Sequence, residues 1–449
     1  MLRVAKVRAG RHAYYLEVAT GPGGTGIEAP GEWLGTGSAT LGLGGVVEAD
    51  ALGAVLRGDH PGTGERLGRW HDRVSVAGFD LSFCAPKSVS LLHALGGPVV
   101  GAEVRAAHDA AVTAALGYVE QRAVAVRRGD GGVLVPVAAA AVASAGFVHR
   151  VSRALDPHLH SHVVMANLGR GPEGSFTALD GRGLYAHAAA AGALYHAQLR
   201  HELSRRLGVA WEPLRAGRAD VAGIGAEARL AFSQRAVEIA RHLSERGLGG
   251  GRARAVAAHA TRPARDPHVS ADDLRPSWER RARAAGLSPG RLEAVLDRVP
   301  RRVVTGPDAG GHALASPTAA ADVVEALGRR SPTATRRDVV RAWCGSLPAG
   351  APAVEVEAAA DRLLGSLPTT AAHAARAEGR GVGERRHVVG GRVVEQTAPA
   401  LGVAPGRDDR AEHAELGRLL ARRGMELPAP GRHRDRARSR HEDLGMGLG

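Results

Sequence analysis

Three histidines in the segment FVHRVSRALDPHLHSHVVMAN (Phe147–Asn167) have a spacing that could hold a metal ion. Apolar and polar residues alternate on both sides of Asp156-Pro157, a turn signal, so the segment reads as a β-hairpin. With the turn centred between Leu155 and Asp156, cross-strand partners sum to about 311, which sets His149 opposite His162 and Val151 opposite His160. Side chains two apart share a face, so His149, His160 and His162 converge on one side while Leu159, Ser161 and Val163 take the other. Three neutral imidazoles bind a divalent cation without cancelling its charge and leave positions for a phosphate oxygen or water. A lone histidine is more often structural, and the chain has 21; it is three on one face that single out this segment. His158 shares their parity but follows Pro157 directly, and is expected as a spare or supporting group.

Other groups could complete such a site. In GFDLSFC (Gly78–Cys84) Phe79, Leu81 and Phe83 alternate with Asp80, Ser82 and Cys84. If this strand neighbours the hairpin, Asp80 would accept a ring N–H from a ligand histidine or take a proton from a nucleophile. Pro86-Lys87-Ser88 ends the strand and opens a helix, placing Lys87 near the rim, where a cation would meet phosphate. Pro86 replaces the glycine that a phosphate-binding loop needs before its lysine, and no such loop motif occurs in the sequence. Two of the five tyrosines, Tyr14 and Tyr15, are adjacent in the helix-like AGRHAYYLEVA. Neighbours on a helix point about 100° apart, so at most one of them aims squarely at a site. A buried aromatic pair anchoring the first helix explains the spacing equally well.

The elements that would position these groups follow from pattern. Strand-like segments Arg122–Arg127, Val133–Val137, Gly146–Val151 and His158–Met165 lie between helical stretches Glu103–Val119, ending near Gly117, and Ala188–Leu207, ending at Gly208. Helices with a mostly antiparallel sheet make an α+β domain. After about residue 212 the chain reads as helices, Ala226–Arg246, Ser277–Ala285, Thr335–Leu347 and Val354–Leu367, with Pro- and Gly-containing breaks. From Thr397 it turns polar, and GRHRDRARSR (Gly431–Arg440) has no apolar face, as a solvated tail would.

Composition sets outer bounds. With 449 residues and 44% hydrophobic positions, the chain is too long for one ordinary domain and too apolar for a disordered protein. Two cysteines, Cys84 and Cys344, exclude a disulfide framework and a Cys-rich zinc module, and imply a cytoplasmic setting. No apolar run reaches the roughly 17–25 residues of a spanning helix, and the start lacks an apolar signal core, so no membrane insertion is expected. The net charge is +13, and only Lys6 and Lys87 are lysines. Arginine's planar fork suits phosphate, and basic chains often meet nucleic acid. GC-rich codons would produce the same arginine excess.

The Tyr14-Tyr15 pair, GEWLGTGSATLGLGG (Gly31–Gly45), GFDLSFCAPKSVSLL (Gly78–Leu92), HRVSRALDPHLHSHVVMAN (His149–Asn167), FTALDGRGLY (Phe176–Tyr185) and HELSRRLGVAW (His201–Trp211) together resemble the MobF (TrwC/TraI-like) class of conjugative DNA relaxases, within the HUH endonucleases. The order and distances fit over about residues 1–290, weakening toward 345. The resemblance implies a central antiparallel sheet with helices packed on it, a metal held by His149, His160 and His162, a nucleophile at Tyr14 with Tyr15 beside it, and a base or orienting group at Asp80. Arg150, Arg153 and Lys87 lie inside matching motifs and are expected phosphate contacts. It implies site-specific nicking and rejoining of one plasmid strand at an origin of transfer, through a 5′-phosphotyrosine and a free 3′-hydroxyl. The expected partners are single-stranded origin DNA and the coupling and secretion machinery of conjugation. Softness favours Zn2+, Ni2+ or copper on imidazole, whereas the family works with Mg2+ or Mn2+. The implied organisation is a relaxase domain over 1–290, a helical extension over 291–396 and a basic, disordered tail over 397–449. The second tyrosine pair of many members has no counterpart in GPGGTGIEAPGEWLG, and the helicase loop of larger members is missing, as expected of a stand-alone relaxase or a shortened gene. Two competing readings remain: a His-rich metallohydrolase, which would want an Asp-His pair where Val163-Val164 stand, and a non-catalytic single-strand DNA-binding protein derived from a relaxase.

Overall fold

A computed structural model describes residues 2–9, 15, 30–68, 75–130, 133–139, 141–261, 269–296, 314–368 and 387–389. Its centre is an antiparallel sheet of β1 (Leu2–Arg8), β2 (Glu32–Leu34), β3 (Val76–Cys84), β6 (Ala141–Val151) and β7 (Pro157–Arg170), in the order β1-β3-β7-β6-β2, with β8 (Phe176–Thr177) paired to β7. Two short helices, α1 (Thr36–Thr40) and α2 (Ala49–Arg57), separate β2 from β3. After β3 come α3 (Lys87–Leu95), α4 (Gly97–Arg122) and a separate two-stranded ribbon, β4 (Ala125–Asp130) with β5 (Val133–Ala138). The long helix α5 (Arg182–Leu207) follows β8. The expected α+β class with a central antiparallel sheet is what the chain adopts.

Alternation along the strands divides the molecule. Phe79, Leu81 and Phe83 of β3 and Leu159, Val163 and Met165 of β7 are buried with residues of α3, α4 and α5. The odd-numbered face of both strands is thus the helix side. On the opposite face a smaller cluster joins Val164 and Ala166 to Phe147, Ala145, Val7, Leu52, Val55 and Leu56. Helix α4 runs past Gly117, where the sequence suggested an end. A Cβ at Gly117 would meet nothing, while the next two residues, Tyr118 and Val119, are buried. Packing of those side chains outweighs the roughly 1 kcal/mol that a helical glycine costs.

Beyond β8 the expected helix Ala226–Arg246 is two, α6 (Ala226–Ala231) and α7 (Gln234–Ser244), then come α8 (Gly251–Ala260), α9 (Ala271–Ala284), α10 (Pro289–Leu296), α11 (Pro317–Gly328), α12 (Arg336–Ser346) and α13 (Ala353–Ser366). Among the described residues, one compact unit takes in those of 2–232 and 269–389, and a second takes in 233–261. In the first, Arg200 of α5 is buried and donates to the carbonyls of Gly217, Cys344 and Leu347 at 2.9–3.1 Å, which holds the end of α12 on α5. In the second, Arg235 bonds the carbonyls of Ala258 and Thr261, tying α7 to the end of α8. The basic run Gly431–Arg440 lies outside the described residues. No helix among the described residues is long and apolar enough to cross a membrane.

Candidate active site

The hairpin forms at the expected place, with a different register. His149 lies opposite His160, Phe147 opposite His162 and Val151 opposite Pro157. The turn is longer than the tight one that Asp156-Pro157 suggested. The Ser152 amide donates to the Asp156 carbonyl at 2.8 Å, and Ser152 Oγ accepts from the amides of Ala154 and Asp156. Leu155 takes a left-handed φ of 57°, and the ladder is irregular between His149 and Val151. The register slips by an even number of residues, so every side chain keeps its face; a slip by one would have turned the histidines into the helix-side core. On the other edge of β7, Ser82 of β3 lies opposite His162 and Cys84 opposite His160.

The three rings form a triangle. Centroid separations are 5.3 Å for His149–His160, 5.4 Å for His149–His162 and 5.3 Å for His160–His162. Imidazoles bonded to one ion at about 2.1 Å place their centroids roughly 5 Å apart, so the spacing suits a shared ion. As posed, no group of three or more His, Cys, Asp or Glu side chains among the described residues would hold a metal. Two of the rings are already oriented from behind. His160 Nδ1 is 2.8 Å from the His158 carbonyl, and His162 Nδ1 lies 2.8 and 2.9 Å from the two oxygens of Asp80. With each Nδ1–H donated in this way, Nε2 is the nitrogen left to bind an ion. Burial, then the neighbouring histidines, pushes His160 well below the usual histidine pKa and keeps it neutral, as a ligand must be. His158 stacks on His160 with centroids 4.5 Å apart, and burial lowers its pKa to about 3.

Asp80 connects this cluster to a phenol. Tyr15 donates its hydroxyl to Asp80 Oδ2 at 2.7 Å, and Ser82 Oγ lies 3.3 Å from both Asp80 Oδ1 and His162 Nδ1. Burial works to raise the Asp80 pKa, but bonds from His162, Tyr15 and Ser82 more than offset it, and the carboxyl is held below its ordinary range. The Tyr15 ring packs near Phe147, with centroids 6.4 Å apart. Tyr14 lies outside the described residues.

The three basic residues suggested as phosphate contacts are spread out. Lys87 is turned inward: its ammonium donates to the Pro157 carbonyl at 2.6 Å, and burial lowers its pKa to about 8. The expected place at the rim is therefore not where this ammonium sits, because the carbonyl at the start of β7 offers it a partner. Arg150 has the parity opposite to His149, and Arg153 is in the turn. Sequence reasoning missed a buried network on the helix side of β7. His108 of α4 contacts the Tyr195 hydroxyl through Nδ1 at 2.8 Å and Ser161 Oγ through Nε2 at 2.7 Å. Only the parity of Ser161, a polar residue on the core face, hinted at it.

Comparison with known proteins gives the chain's relatives. The TrwC relaxase family matches residues 4–285. The multifunctional conjugation protein TraI of Escherichia coli is 30% identical over 332 residues, which is 70% of this chain and 18% of that protein. TraI of strain K12 is 30% identical over 329 residues, with the same shares. The chain thus spans about a fifth of the length of these relatives. Among solved structures, the conjugative relaxase TrwC in complex with oriT DNA, in a metal-bound form, superposes with a TM-score of 0.58 at 30% identity, covering 64% of this chain and 99% of that one. TrwC with a 27-mer DNA comprising the recognition hairpin and the cleavage site gives a TM-score of 0.56 at 30% identity, with the same coverage.

Proposed function

The chain belongs to the TrwC relaxase family, and from that premise we propose that it nicks and rejoins one DNA strand at a plasmid origin of transfer, as a metal-dependent transesterase that initiates conjugation. The observation that carries this reading is the continuous link from Tyr15 through Asp80 to His162, the last set in a triangle of imidazoles. His149, His160 and His162 would hold a divalent ion, and TrwC has been solved both metal-bound and copper-bound in complex with oriT DNA. When bound, such an ion supplies Lewis acidity toward a non-bridging oxygen of the scissile phosphate. The coupling and secretion machinery of conjugation is the expected partner of the nicked product.

The chain's own residues set the rest of the chemistry. A tyrosine near its ordinary pKa of about 10 is a weak nucleophile and needs its proton drawn away. In the proposed step the phenol oxygen bonds to phosphorus and the bond to the 3′-oxygen breaks. The proton lost by the phenol is matched by the one the leaving 3′-hydroxyl gains. One phosphodiester replaces another, so the 3′-hydroxyl can attack the phosphotyrosine in return and reseal the strand. Asp80 suits an orienting role better than that of a proton store, because its pKa is held low. It fixes the His162 tautomer and the Tyr15 hydroxyl at once.

Resemblance assigns the attack to Tyr14, with Tyr15 anchored on Asp80 and Phe147 as its support. The 2.7 Å Tyr15–Asp80 bond favours a second reading in which Tyr15 itself attacks. Incubation with labelled single-stranded origin DNA and Mn2+ tests both. A covalent adduct lost in Tyr14→Phe and retained at a reduced level in Tyr15→Phe supports the first, and the reverse order moves the nucleophile to Tyr15. Metal-dependent cleavage with no adduct would point to a hydrolase, and a gel shift alone to a non-catalytic binder.

A further inference from the structure

Three consecutive residues of the hairpin turn are each gripped by a donor from another element. The Leu155 carbonyl accepts from Trp278 Nε1 at 2.8 Å. The Asp156 carboxylate, 1% exposed, accepts from an Arg281 Nη2 at 2.7 Å. The Pro157 carbonyl accepts from Lys87 Nζ at 2.6 Å. Trp278 and Arg281 lie one turn apart on α9, more than 120 residues along the chain from the turn they hold. Helix α9 is itself fixed at its start by a reciprocal Ser270–Asp273 cap. Arg281 is further seated over the Phe232 ring, 4.5 Å from its centroid, and on the Ala231 carbonyl.

This grip matters because burial alone leaves the hairpin register open. A slip of β6 along β7 by two residues keeps every apolar side chain on its own face, as the tight turn suggested by Asp156-Pro157 would. In that register His149 would oppose His162 instead of His160. What distinguishes the two is the longer turn, and that turn contains a left-handed leucine with no glycine to ease it. Such a backbone persists where its surroundings over-determine it.

We propose that Trp278 and Arg281, with Lys87, form a clamp that selects the register of the histidine hairpin, making them positioning residues for the imidazole triangle. The inference rests on the reading of that triangle as a metal site, and its test is arranged to separate the two. The full chain is titrated with Mn2+ alone, and amide hydrogen exchange is followed in the β6–β7 turn with α4 as internal reference. Trp278→Phe removes the donor and keeps an aromatic ring, at the cost of part of the buried indole's volume, and α4 exchange reports any general loosening that follows. That variant is expected to speed exchange at the turn and to weaken Mn2+ binding several-fold, and Arg281→Gln about tenfold, the scale of losing a supporting contact behind a ligand. Adding Asp156→Asn to Arg281→Gln replaces the ion pair by two amides and is expected to restore most of the affinity, which general loosening of the fold would not do. If Arg281→Gln does not fold, Trp278→Phe decides. Binding within about twofold of the parent in Trp278→Phe and Arg281→Gln, with unchanged turn exchange, would overturn the clamp. Should the parent chain bind no Mn2+, the metal reading fails, and turn exchange alone then decides: faster in Trp278→Phe supports the clamp, unchanged refutes it.

Discussion

The two sides of β7 each present an imidazole network, separated by one residue of strand. On the helix side, His108 has both ring nitrogens committed, to Tyr195 and to Ser161, and is fully buried. On the open side, His162 commits one nitrogen to Asp80 and its side chain remains 22% exposed. The same side chain is a polar core residue in one place and a candidate ligand in the other. The difference lies in the nitrogen that remains and its access to solvent, and residue type alone does not reveal it.

Substitutions should separate the two sides. The largest effect on nicking is expected from His160→Ala, which removes a proposed ligand: Mn2+ affinity and adduct formation should fall together by at least about a hundredfold while the thermal midpoint stays near that of the parent. Unchanged nicking would remove His160 from the ligand set. Asp80→Asn keeps the shape but weakens the acceptor shared by His162 and Tyr15, and a loss of about 10–100-fold is expected in steady-state nicking. His108→Ala should invert the pattern. It strands Ser161 and Tyr195 in the core and should cost about 2–4 kcal/mol in urea unfolding, with nicking per folded molecule within about twofold of the parent. A large activity loss in the folded fraction would mean that the sealed network is coupled to the site.

The most diagnostic effect is on pH. Burial first, then Arg105, lowers the His108 pKa to about 3 from its ordinary 6.5. Between those values the unfolded chain carries a proton that the folded chain refuses, so stability falls as pH falls from 6.5, by up to about 1.4 kcal/mol per pH unit for one proton. Asp80 acts in a lower window, because its depressed pKa confers stability that is lost only as pH drops below the ordinary carboxylate range. His108→Gln should therefore show a shallower loss of thermal midpoint than the parent between pH 6.5 and 4. Equal slopes would mean that His108 is protonated in the folded protein.

Much of the site was legible because strands have period two. Parity grouped Asp80 with Ser82 against Phe79, Leu81 and Phe83 in one strand and grouped the three histidines in the hairpin, and the pairing of the two strands puts both polar sets on one face. Parity survives a register error of two residues, which is why the faces were right while His149 was matched to the wrong histidine. Lys87 was misplaced for a different reason. A helix start at the end of a strand says nothing about whether a carbonyl waits inside, and Pro157 supplies one.

Alternation and residue chemistry within short segments thus determined which groups could act and which face they share, since both depend only on neighbours in the chain. Register, the sealing of His108 and the grip of α9 on the turn were decided in three dimensions. The sealing of His108 and the grip of α9 depend on partners from 53 to 125 residues away, and the packing of whole elements, rather than any local preference, brings those partners within bonding distance.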